Sequence, residues 1–182
     1  MRKYVIALTA AIILLFSGAG FGGQAEKPRT LVDQTGRSVR VPAMPRRVVA
    51  LAPSITEIIY ALDCEDRLKG VTRFSDYPEA AQSIPSVGSY VNLDLEKIVA
   101  LNPDVCIAIK DGNPRSVVRR LQELDIPVFA VNPRGMETVM TAIAHMGDLM
   151  GARARAQDII KDMKSRIAAV EAKVARTDTR PR

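Results

Sequence analysis

Short apolar runs alternate along this chain with longer stretches in which apolar residues recur at helical spacing. The short runs are typical of strands buried on both faces, and they cover residues 48–51, 68–72, 104–109 and 126–131. The periodic stretches predict amphipathic helices over residues 54–62, 95–101, 114–124, 136–150 and 152–176. This order predicts an α/β fold, a Rossmann-like lobe with a parallel sheet covered by helices on both faces, followed by one long helix.

The stretch from Val48 to Leu62 is the clearest single unit of this pattern. Its apolar start is typical of a buried strand, which Pro53 ends. Ser54 and Glu57 have the spacing of a capping box, which predicts that Ser54 is the N-cap of the following helix. The turn of this unit lies at the carboxyl end of the strand, where open α/β sheets bind their ligands.

The other segments set the limits of the predicted fold. Residues 30–42 alternate polar and apolar positions around a turn at Asp33–Gly36, which predicts an edge hairpin ahead of the sheet. We assign residues 26–150 to one α/β lobe, residues 151–176 to the long helix and residues 177–182 to a short tail.

The first 25 residues have the pattern of a targeting segment. Arg2 and Lys3 precede an apolar run over residues 4–16, and small residues around Gly23–Ala25 offer a cleavage site. We predict a cleavable signal peptide over residues 1–25 and a periplasmic location; the alternative is an uncleaved membrane anchor. No cysteine lies near the cleavage point, so a lipid anchor is not expected.

Because all four predicted strands are parallel, their carboxyl ends should meet at one edge of the sheet. We call this edge the rim, and it comprises Pro53, Ser54, Arg73, Phe74, Tyr90, residues 110–113 and Asn132. Aromatic and small residues beside helix starts suit a pocket for a large organic ligand. The local alternatives are that Gly112 only supplies a turn, and that Asn113 only caps a helix with Pro114 at its first position.

Composition and missing motifs exclude several classes of function. The net charge of +6 is spread along the chain with only four tyrosines and four phenylalanines, so nucleic-acid binding is not expected. The sequence has no glycine-rich phosphate loop. His145 is the single histidine and lies within a predicted helix, so we expect a packing or surface residue, with no catalytic set, metal site or cofactor.

The methionines and cysteines could each have special roles. Met140, Met146 and Met150 fall at helical spacing within residues 136–150, which indicates core filling. Cys64 and Cys106 could form a disulfide in an exported protein, and the sequence alone leaves this pairing open.

A series of segments in fixed order resembles the periplasmic binding proteins of ABC importers for cobalamin, iron-siderophores and haem. The segments are residues 31–37, 45–57, 75–78, 92–104 and 112–113, and the resemblance covers residues 30–182. In that family a long helix joins two α/β lobes that hold the ligand between them. By this resemblance the chain corresponds to the first lobe and the joining helix, as a fragment, a truncated product or a lobe that works differently.

The resemblance also implies roles for individual residues. Phe74 and Tyr90 match positions that place aromatic rings against a corrin, Pro53 lies in the matching first turn, and Ile109 matches a position where tryptophan can occur. With Ser54, Gly112 and Asn113 they form the expected ligand site. Glu96 matches a surface glutamate that pairs with permease arginines, although it could equally be a solvated carboxylate near a helix start.

The expected function is therefore capture of cobalamin or a related metal chelate by a monomer, with delivery to an ABC permease in the inner membrane. The alternatives are binding of a ferric siderophore or haem by the same fold, or an exported α/β interaction module with no ligand of its own. An exported hydrolase on a similar sheet is a third hypothesis, and catalysis is not expected because no catalytic set is evident.

Overall fold

The computed structural model describes residues 27–177, which contain eight short strands. In chain order the strands are β1 (Arg29–Val32), β2 (Ser38–Val41), β3 (Val48–Ala50), β4 (Leu68–Gly70), β5 (Gly88–Ser89), β6 (Asn92–Leu93), β7 (Val105–Ile109) and β8 (Val128–Val131). Strands β4, β3, β7 and β8 form one parallel sheet in that order, while β1–β2 and β5–β6 are antiparallel hairpins. The predicted parallel sheet and the predicted hairpin at residues 30–42 are both confirmed.

Within residues 27–177, five α-helices cover the two faces of this sheet. They are α1 (Pro53–Ala61), α2 (Leu95–Ala100), α3 (Arg115–Glu123), α4 (Met136–Met150) and α5 (Arg153–Val174), and short 3₁₀ turns lie at Glu65–Arg67 and Glu79–Ser83. Helices α1 and α4 pack on one face with α5 outside them, and α2 and α3 pack on the other. The predicted α/β fold class is confirmed.

Alternate residues of each strand enter different cores, because successive side chains point to opposite faces of a sheet. Val48 and Ala50 contact α1 and α4 on one face, whereas Val49 packs with α2 and α3 on the other, and all three are fully buried. Cys64 belongs to the first core and Cys106 to the second. Both thiols are free, and the sheet lies between them, so this fold does not join them in a disulfide.

The methionine stripe of α4 fills the first core, as predicted. Met140, Met146 and Met150 are all buried. Helix α5 packs its first half on α4 through Ala156, while Val170 in its second half is 60% exposed. A helix of 22 residues is about 33 Å long, so its second half extends beyond the lobe.

Several predicted boundaries shift by a few residues. The strand predicted at residues 68–72 ends at Gly70, and Val71 makes a single bridge to Ser86. The predicted signal peptide and residues 178–182 lie outside the described part of the chain. No helix within residues 27–177 is long and apolar enough to cross a membrane.

Candidate ligand-binding rim

The carboxyl ends of the four parallel strands meet at one edge of the sheet, as predicted. The sheet order β4-β3-β7-β8 places the segment around Phe74 next to Pro53, then the turn that follows Ile109, and finally Asn132. Tyr90 joins this edge from the turn between β5 and β6. The segments of the rim therefore lie along one edge of the sheet.

The turn after β3 differs from its prediction in one respect. Ala52 is the N-cap of α1, Pro53 occupies the first helical turn, and no side chain caps the helix. The predicted capping box of Ser54 and Glu57 is wrong, because proline is pre-organised for the first helical position and the helix starts before Ser54. The exposed Ser54 hydroxyl is therefore not needed for capping, and it lies at the rim.

The Phe74 segment is fixed to α1 by buried hydroxyl groups. Thr56 Oγ1 donates to Ser75 Oγ at 3.1 Å, and Ser75 Oγ lies 2.9 Å from Thr72 Oγ1. All three residues are buried, whereas Phe74 between them is 52% exposed. The Arg73 guanidinium lies 4.9 Å from the centre of the Phe74 ring, and this cation–π contact holds the ring at the surface.

Tyr90 and Gly112 pack directly against each other. A Cβ atom added at Gly112 would lie 2.7 Å from Cγ2 of Ile109 and 3.2 Å from Cδ2 of Tyr90. The absence of a side chain at Gly112 therefore lets the Tyr90 ring pack closely on the turn after β7, and Tyr90 is still 39% exposed. Gly88 in β5 has a φ of +95°, and its carbonyl accepts a 2.7 Å hydrogen bond from the Arg73 amide.

Asn113 ties three segments of the rim together. Its Nδ2 donates to the carbonyls of Leu51 at 2.7 Å and Tyr90 at 2.8 Å, and its Oδ1 accepts from the Ile109 amide at 2.7 Å. The predicted capping role is wrong: Pro114 is the N-cap of α3, and no side chain caps that helix. The Asn113 side chain is 6% exposed and already committed to the backbone.

The β1–β2 turn supports the rim at β8. The amide of Asn132 donates to Gln34 Oε1 at 2.7 Å, and Asp33 Oδ2 accepts from the Ala130 amide at 3.3 Å. Burial alone would raise the pKa of Asp33, but hydrogen bonds from Thr35 and Arg37 outweigh it and hold that pKa below its ordinary value of 3.8. The hairpin is thus anchored to the sheet by a buried carboxylate.

The sequence alone does not single out these supporting residues. Thr56 has a usable signal, because it lies next to Ile55 on the inward side of α1, where a polar side chain needs a buried partner. For Asp33 and Gln34 the local pattern indicates only a turn, and nothing in it indicates that they reach β8.

The residues predicted for other roles lie away from any catalytic or metal centre. His145 packs edge-on against Phe129 with ring centres 6.4 Å apart. Within residues 27–177, no three His, Cys, Asp or Glu side chains are grouped to hold a metal ion. Arg134 pairs with Asp111, which follows Lys110 at the rim.

Glu96 lies in the first turn of α2 with its side chain exposed. Asp94 caps this helix by accepting from the Lys97 amide at 3.1 Å. That hydrogen bond is the main reason why the pKa of Asp94 is lowered, with the side chain and charge of Lys97 adding to it. Glu96 has no ion-pair partner among the residues described here, so its carboxylate is free to contact another molecule.

A parallel α/β lobe with exposed aromatic rings across its strand ends has the architecture of a ligand-binding lobe. The chain matches the periplasmic binding protein family over residues 48–182, and it belongs to that family. This confirms the family that the motif series indicated.

Several relatives are named for a ligand or for the transporter that they serve. The chain is 32% identical over 132 residues to a vitamin B12-binding protein of Vibrio parahaemolyticus, covering 72% of this chain and 48% of that protein. It is 30% identical over 182 residues to an uncharacterised ABC transporter substrate-binding lipoprotein of Bacillus subtilis, covering 92% and 57%. The crystal structure of a periplasmic haem-binding protein from Pseudomonas aeruginosa is similar with a TM-score of 0.69 and 28% identity, covering 72% and 48%. The chain thus spans about half the length of these proteins.

Proposed function

We propose that this chain is the periplasmic substrate-binding component of an ABC importer, and that its rim binds cobalamin or a related metal chelate. The observation that carries this proposal is the grouping of Phe74, Tyr90 and Gly112 on one edge of the sheet, with both rings exposed and held from behind. An apolar surface with few polar groups suits a large macrocycle.

Each rim residue has a specific part in this proposal. Phe74 and Tyr90 supply the faces on which the macrocycle rests, and Pro53 and Ile109 extend that apolar surface. The Ser54 hydroxyl is exposed and available to a polar group of the ligand. Asn113 and Gly112 act by keeping Tyr90 in place, which lowers the ordering cost of binding.

Cobalamin is the first candidate because a relative at 32% identity is a vitamin B12-binding protein. Haem is the second candidate, supported by the similarity in fold and sequence to the haem-binding protein. A ferric siderophore stays an alternative because it is a metal chelate of comparable bulk.

Delivery requires a contact with the membrane permease, and we assign it to Glu96. Its carboxylate is exposed and unpaired among the described residues, beside the Asp94–Lys97 pair at the start of α2. A carboxylate in this position suits a basic partner surface, where it would add attraction and orientation. We further propose that residues 1–25 direct export and that the exported chain is a monomer.

Ligand binding is tested by titrating the purified chain with cyanocobalamin and with haem, followed by absorbance. Phe74→Ala and Tyr90→Ala should each weaken binding about tenfold, since one aromatic contact contributes about 1.4 kcal/mol. Leu124→Ala is the matched control, because Leu124 is an exposed apolar residue at the end of α3, on the opposite edge of the sheet. Absence of binding to any cobalamin, haem or ferric siderophore, with no rise in melting temperature, would favour the interaction module without a ligand.

Permease docking is tested with the reconstituted importer. Glu96→Ala should weaken docking and leave chelate binding unchanged, because Glu96 lies on α2 and outside the rim. Glu137→Ala is the matched control, since Glu137 is also an exposed first-turn glutamate, on the helix that covers the other face. Equal docking by wild type and Glu96→Ala would remove Glu96 from the interface.

A further inference from the structure

A second concave surface adjoins the rim on the α3 side of the sheet. It is an open groove of about 420 Å³ between α3 and the β1–β2 turn, and the ends of β7 and β8 form its floor at Ala108 and Ala130. Four basic side chains line it, and no acidic residue does; the basic residues are Arg37, Lys110, Arg115 and Arg119. We call this surface the basic groove.

The arrangement of positive charges in the basic groove destabilises helix α3. Arg115 and Arg119 are one turn apart on α3, where like charges repel. Arg115 also lies in the first turn, which contains no acidic residue and where a cation opposes the helix dipole. Such a conflict between local preference and structure is expected at functional sites.

These cations are only partly compensated within the described residues. Arg37 pairs with the buried Asp33 at 2.8 Å, and Arg119 reaches Glu123 at 3.9 Å. Lys110 and Arg115 have no ion-pair partner in residues 27–177. An oxyanion in the groove would relieve this repulsion, and guanidinium groups bind carboxylate and phosphate oxygens well.

The basic groove and the rim share residues. Ile109, Lys110 and Asn113 line the groove and belong to the turn after β7 that carries the rim. We propose that the basic groove binds an anionic arm, a carboxylate or a phosphodiester, of the same chelate whose macrocycle rests on the rim. This inference rests on the proposed function and adds a specificity for chelates with an anionic arm over chelates without one.

Two ligand pairs test this specificity in the full chain. Haem carries two propionate carboxylates that its dimethyl ester lacks, and cyanocobalamin carries a phosphodiester loop that dicyanocobinamide lacks. For whichever pair binds, the member with the anionic group should bind about tenfold more tightly, as one partly exposed charge-assisted hydrogen bond provides. The pair that shows the preference identifies the anion as carboxylate or phosphodiester.

The variant R115Q/R119Q should abolish this preference while still binding the member without the anionic group. The control K164Q/R166Q removes the same charge from exposed positions on α5 and should retain the preference. Equal affinity of the two members for wild type, or an undiminished preference in the groove variant, overturns the inference and leaves the proposed function standing. Failure of all four compounds and of ferric siderophores to bind rejects the proposed function and the inference together.

Discussion

Replacing Asn113 with alanine should loosen the rim more than any other single polar change in this region. The substitution removes two donors and one acceptor, and it leaves the carbonyls of Leu51 and Tyr90 and the amide of Ile109 without their partner. A buried polar group left unsatisfied costs about 1–3 kcal/mol, and because the site is next to solvent we take the lower value for each group. Asn113→Ala should therefore destabilise the fold by about 3 kcal/mol.

Urea unfolding followed by circular dichroism measures this change, since the sequence contains no tryptophan. Asn113→Asp tests the reasoning further, because it retains the acceptor for Ile109 but replaces both donors by oxygen facing two carbonyls. It should be destabilised at neutral pH despite its similar volume. The control is Asn92→Ala, an exposed residue of β6 that should change stability by no more than about 0.5 kcal/mol. If Asn113→Ala is as stable as this control, Asn113 does not tie the rim together.

Three further changes test the fold and the rim independently. Asp33→Asn should lower the free energy of unfolding at pH 7 by about 1–2 kcal/mol. Because the pKa of Asp33 in the folded chain lies below 3.8, this loss of stability should shrink as the pH falls through that range. A loss that stays constant during acid titration would contradict this prediction. Burial raises the pKa of Cys106 to about 12, and burial is also the main cause that raises the pKa of Cys64. Ellman's reagent at pH 8 should therefore label both thiols only after unfolding, and rapid labelling of the native chain would refute this. Gly112→Ala should displace the Tyr90 ring and weaken chelate binding about tenfold. The control is Gly135→Ala, whose Cβ meets nothing within 4 Å, and it should bind the chelate as tightly as the wild type does.

The polar ties behind the rim explain how exposed rings can be kept in one arrangement. The hydroxyls of Thr56, Thr72 and Ser75 fix the Phe74 segment, and the amide of Asn113 fixes the Tyr90 segment. Neither ring is deeply buried, so these hydrogen bonds, rather than core packing, keep the two segments ordered. A surface ordered in this way binds a rigid ligand at a lower entropic cost.

The sheet and its covering helices could be predicted from apolar periodicity, because contiguous segments of the sequence form the cores. Strands such as Val105–Ile109 are apolar throughout, and Met136–Met150 keeps its apolar residues on one face. These patterns are local, so the sequence displays them directly. The parallel order of the strands then brought the rim residues to one edge.

The two errors concern helix caps, and the one at Asn113 arises because its partners are distant in sequence. Ser54 and Asn113 both had the local spacing of helix caps, and neither caps a helix. Asn113 instead bonds to Leu51, which is 62 positions away, and no local pattern specifies that pairing. The contact between Gly112 and Tyr90 was hidden for the same reason, although both residues had been placed at the rim.

The central claim is that the carboxyl edge of the sheet is the surface that meets the chelate. Amide chemical shifts of the isotopically labelled chain, recorded during titration with cyanocobalamin and with haem, test it without requiring tight binding. The account predicts that the shifts concentrate at residues 54, 73–75, 88–92 and 109–113. Shifts confined to the opposite edge, around Arg46, Arg47, Asn102 and Asp104, or no shift with either compound, would contradict it.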